Sequence, residues 1–98
     1  MKTTPQTPDP ESLSISALLW IADDAVMMRR FLDLTGIEAS DIRAAAAEPA
    51  FLAGVLKFIA AHEPTLQAFA QNVNVHPSLI MKALHTLPGG NEDYMAST

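Results

Sequence analysis

EPAFLAGVLKFIAAHEPTLQAFAQNVNVHP, residues 48–77, holds the pattern that decides the fold. Prolines stand at 49, 64 and 77, each behind a residue able to begin a helix: Glu48, Glu63 and His76. Proline is favoured at the first helical position because its missing N–H has no intrahelical partner there, and its ring presets φ. The residue before it is pushed out of the α region, so any preceding helix must end. The spacing therefore predicts a helix over about 49–62, a second opened by Glu63-Pro64, and a third opened by His76-Pro77. In the first, Leu52, Val55, Leu56 and Ile59 recur at i, i+3, i+4, i+7, and Phe51 and Phe58 widen the apolar face. That breadth places it at the centre of the core. The second carries Leu66, Phe69, Ala70 and Val73, and the third Ile80, Ala83, Leu84 and Leu87.

Upstream the same device recurs at Asp9-Pro10, so four of the seven prolines open a helix. The helix begun there runs to about Asp23, with Ile15, Leu18, Leu19, Ile21 and Ala22 as a broad apolar face and Trp20 at its edge. Asp23 or Asp24 can cap the next helix, in which Met27, Phe31 and Leu34 follow i, i+4, i+7 spacing. Gly36 is its stop signal. A shorter helix begins near Ser40, and its Ala44–Ala47 run offers close approach to a neighbour. Pro88-Gly89-Gly90 ends the last helix. No useful period-2 alternation appears, which disfavours strands. The expected organisation is a flexible arm at 1–8, a single helical domain at 9–88 and a flexible tail at 89–98. The expected fold is all-α: an orthogonal bundle of five to six short helices with a helix-turn-helix-like C-terminal corner.

Composition narrows the function classes. The chain has 98 residues, a hydrophobic fraction of 49% and no cysteine, which excludes disulfides and thiolate chemistry. A mean hydropathy of +0.16 is high for so small a domain, and predicts apolar surface covered by a partner or a second copy. The net charge of −5 argues against general adhesion to nucleic acid or anionic membranes. No basic, apolar and cleavable leader pattern is visible, and the uncharged run Ser12–Ala22 is about half a membrane span. The expected location is cytoplasmic, with no membrane contact.

No catalytic, cofactor or metal constellation emerges. His62-Glu63 resembles the opening of a zinc-protease HExxH motif, but Leu66 stands where the second histidine belongs and Pro64 interrupts the required helix. His76 and His85, nine residues apart, point to opposite faces of a helix and cannot share a metal. His76 reads as a capping or surface residue. Asp23, Asp24, Glu48 and Glu63 are explained as helix starters. Arg29, Arg30 and Arg43 read as a solvated face, and Met27 as core.

One constellation rises above this level. Residues 65–87, TLQAFAQNVNVHPSLIMKALHTL, match helix-turn-helix spacing through Phe69-Ala70, Val73-Asn74-Val75, Ile80 and Ala83. Val73, Val75, Ile80 and Ala83 would form its seam, and Asn74 stands where glycine is usual in the left-handed turn. Ser78, Met81, Lys82 and His85 face outward on its second helix, and with Met28 they are the candidate partner-binding residues. If the corner bound DNA, those four would meet the major groove, yet Lys82 is the only assured cation among them.

The segments ALLWIADD (17–24), RRFLDLTGIEASDIRAAAAEPAFLAGVLKFI (29–59, counted from the first arginine) and FAQNVNVHPSLIMKAL (69–84) resemble domain-of-unknown-function family 3572, small helical proteins of alphaproteobacteria. The resemblance spans about 12–88. It implies a bacterial cytoplasmic protein of this fold, and carries no activity, substrate or site. The expectation is thus a non-catalytic protein-interaction or regulatory module whose partner is an unknown protein or a second copy of itself. A DNA-binding helix-turn-helix protein using residues 65–87 is the alternative.

Overall fold

A computed structural model describes residues 9–89. The helices run α1 Pro10–Ala22, α2 Ala25–Thr35, α3 Ile42–Ala45, α4 Pro49–Ala60, α5 Glu63–Val73 and α6 Pro77–Thr86, with a 3₁₀ turn at Ala39–Asp41 leading into α3. Among the described residues there is no strand. The protein is an all-α bundle.

Local chemistry accounts for most helix boundaries. Asp9 Oδ2 accepts from the Ser12 N–H at 3.0 Å, and Pro10 occupies the first turn behind it. Asp24, the better placed of the two adjacent aspartates, accepts from the Val26 and Met27 N–H groups at 3.0 and 3.1 Å. Gly36 ends α2 at φ +75°, and its N–H returns to the Leu32 carbonyl at 2.8 Å. The start of α5 lies one residue earlier than the Glu63-Pro64 pair suggests. Its cap is His62, in extended conformation, and Glu63 already lies in the first turn ahead of Pro64. His62 Nδ1 and Thr65 Oγ1 lie 2.7 Å apart and share a hydrogen bond, which ties the buried threonine to the cap.

α4 is the hub, packing against α1, α5 and α6. Leu52, Val55, Leu56 and Ile59 are buried, while Phe51 and Phe58 are half-buried, as the periodicity predicts. Phe31 of α2 inserts between those two rings, edge-on to both at centroid distances of 5.9 and 5.3 Å. α5 and α6 contribute Leu66, Phe69, Ala70, Ile80, Ala83 and Leu84, and Leu87 closes the core beyond the end of α6.

Two faces differ from expectation. On α1 the buried residues are Leu13, Ser14, Ala17, Leu18 and Ile21, which leaves Ile15, Leu19 and Ala22 exposed. The helix is turned so that Ser14 and Ala17 join Leu13, Leu18 and Ile21 against the core. Ser14 tolerates full burial because its hydroxyl donates to the Pro10 carbonyl at 2.8 Å. On α2 the covered arc comprises Met27, Met28, Phe31 and Leu32. At about 100° per residue, Leu34 falls some 90° from the centre of that arc. It is 70% exposed. The alanine run packs only in part: Ala46 lies against the core with Ile42, while α3 stops at Ala45 and Ala44 and Ala47 are exposed. Residues 1–8 and 90–98, assigned above to an arm and to most of a tail, lie outside the described residues.

Candidate functional site

Rotation of α1 opens an apolar groove at the surface of the described residues. With Ile15 and Leu19 turned outward, they and Leu18 form one wall of a groove of about 670 Å³. Met28 of α2 lines its floor, and Ile42, Arg43 and Ala46 close the far side. Arg43 is the only charged residue among those lining it. Leu19 is the ridge of this surface, because it also borders a smaller depression containing Trp20, Asp23 and Val73.

Of the five residues marked in the sequence, only Met28 joins this groove. It is half-buried rather than outward, as is Met81, and both pack against the core together with Met27. Ser78, Lys82 and His85 are exposed on α6, where a four- then three-residue spacing puts them on one stripe. The Ser78 hydroxyl is already engaged: it lies 2.8 Å from His76 Nδ1, which also accepts from the Ser78 N–H at 3.0 Å. His76 is therefore a helix cap. Arg30, in the basic cluster, lies over the Phe58 ring at 5.9 Å.

The turn between α5 and α6 takes the left-handed conformation expected at Asn74. Asn74 adopts φ 57°, ψ 48°, and is the only non-glycine residue with positive φ among those described. The Val75 N–H reaches the Ala70 carbonyl at 2.9 Å and the Asn74 N–H reaches Gln71 at 3.2 Å, a Schellman pair. Beside this turn is a depression of about 370 Å³ carrying Gln67, Gln71, Asn74 and His76.

No group of three or more His, Cys, Asp or Glu among the described residues could hold a metal ion. No described helix is long and apolar enough to cross a membrane.

Comparison with known proteins bears on this arrangement as a whole. The model of a family described as "Protein of unknown function (DUF3572)" matches residues 7–90. The chain belongs to the DUF3572 family. That match takes in every described helix and the three depressions above. No curated protein and no solved structure matches this DUF3572 chain.

The groove draws on residues of the apolar face that the spacing of α1 predicts, namely Ile15, Leu18 and Leu19. Of the apolar face expected on α1, Leu18 and Ile21 are buried, whereas Ile15 and Leu19 give way on the core side to Leu13, Ser14 and Ala17. A hydroxyl that can return to its own helix backbone is cheap to bury, and that makes Ser14 a legitimate core residue.

Proposed function

We propose that this protein is a non-catalytic interaction module whose docking surface is the groove between α1, α2 and α3. The observation that carries this reading is the exposure of Ile15 and Leu19, at 45% and 66%, on the rim of an apolar cavity. Contiguous apolar surface of this kind is unfavourable in water, and covering it with a partner lowers the free energy by about 25 cal/mol per Å². Scattered exposed leucines need no explanation; a concave cluster around one does.

The test is comparative capture from native cells using wild-type protein and Leu19→Glu. A protein retained by the first and lost by the second supports the reading. Equal retention by both, or none specific to the wild type, defeats it.

Support for DNA binding by the α5–α6 corner is weaker. Its turn is correctly built, but Ser78, Met81, Lys82 and His85 offer one lysine, and phosphate contact draws on several cations. Duplex binding at low salt, with a steep loss on adding salt and on Lys82→Glu, would favour it over the groove.

A further inference from the structure

We infer that the occupant of the groove is a second copy of this chain, with α1 of each copy crossing α1 of the other beside Leu19. This rests on the docking-surface reading and names its partner. One chain carries both complementary halves. The convex half is the outer side of α1, where exposed Ile15, Leu19 and Asp23 follow one another at four-residue steps. Ser12, Ser16 and Ala22, also exposed, keep that side small enough for another helix to approach closely.

The concave half is the groove itself. Its walls are aliphatic apart from Ser40 and Arg43, and no ion pair or hydrogen bond among the described residues engages the Arg43 guanidinium. Such a site accepts a helix that presents two aliphatic side chains followed by a carboxylate. The outer stripe of α1 has that order. Leu19 and Ile15 of one copy cover Leu18, Met28 and Ile42 of the other, and the C-terminal turn of each α1 lies over the opposite α3, bringing Asp23 to Arg43. One two-fold operation makes both sets of contacts at once, as an isologous interface requires. Charge fixes the orientation and aliphatic burial supplies the affinity.

The experiment is light scattering of the full chain over a dilution series, with circular dichroism to confirm that each variant retains its helices. Wild type is expected to reach twice the 10.5 kDa chain mass. Leu19→Glu is expected to stay monomeric with unchanged helicity. Asp23→Arg and Arg43→Asp should each weaken association about tenfold, and the double reversal should return it to within about threefold of wild type. A monomeric wild type, a dimer that survives Leu19→Glu, or a double reversal that fails to restore association each overturns the inference. If the wild type is monomeric yet still captures a protein that Leu19→Glu loses, the docking surface stands and the second copy alone is rejected.

Discussion

Trp20 at the end of α1 and Phe69 in the middle of α5 meet with ring centroids 5.4 Å apart and planes tilted by 52°. Thirteen-residue α1 is thereby held at its C-terminal end by α5 while α4 supports its inner face. The contact fixes the rotation of α1, and with it the outward placement of Leu19. Phe69 is fully buried, so Phe69→Ala should cost about 3–5 kcal/mol. Urea unfolding followed by the fluorescence of Trp20, the chain's single tryptophan, measures it; a loss below about 1 kcal/mol would contradict this packing.

Asn74 supplies a second test. Its left-handed conformation suits glycine or asparagine and strains a β-branched side chain. Asn74→Gly should leave stability within about 1 kcal/mol of wild type, whereas Asn74→Val should lower it by about 1–2 kcal/mol. Thermal melts of the two variants give the comparison, and equal melting temperatures would show that the turn is not held in this geometry.

The cap at His76 predicts a selective response. Removing Nδ1 deprives the Ser78 N–H of its acceptor, so His76→Ala should cost about 1 kcal/mol. Asparagine is a strong capping residue, and His76→Asn should recover most of that loss. Hydrogen exchange at Ser78 and Leu79 in the variants reports the first turn directly.

Burial of Ser14 can be tested by size. Ser14→Ala should change stability by less than about 1 kcal/mol, because the hydroxyl serves only its own helix. Ser14→Leu should cost about 1–3 kcal/mol through overpacking. Chemical denaturation midpoints separate the two, and a harmless leucine would place Ser14 at the surface.

Leu34 offers the converse. Because it is exposed, Leu34→Lys should stay within about 0.5 kcal/mol of wild type, whereas the i, i+7 relation to Met27 taken alone predicts a core-sized loss.

Proline punctuation and capping chemistry made the helices readable in advance. Asp9, Asp24, Gly36 and Asn74 each act through atoms within a few residues of themselves, so their effects are local and visible in the chain. The central position of α4 was readable for a related reason: its apolar residues cover so much of the circumference that no rotation could leave it outside.

Which side of α1 and α2 faces inward was another matter. Both helices carry large aliphatic residues over more of their circumference than one neighbour can cover, so composition allowed several rotations. Phe31 between Phe51 and Phe58, and Trp20 against Phe69, selected one of them. That selection turned Ile15, Leu19 and Leu34 to solvent and buried Ser14 and Ala17 in their place. Local bonding thus determined where each helix starts and stops from sequence alone. The orientation of the helices, and the groove that follows from it, arose only when distant aromatic rings packed together, because that energy depends on neighbours the linear chain does not identify.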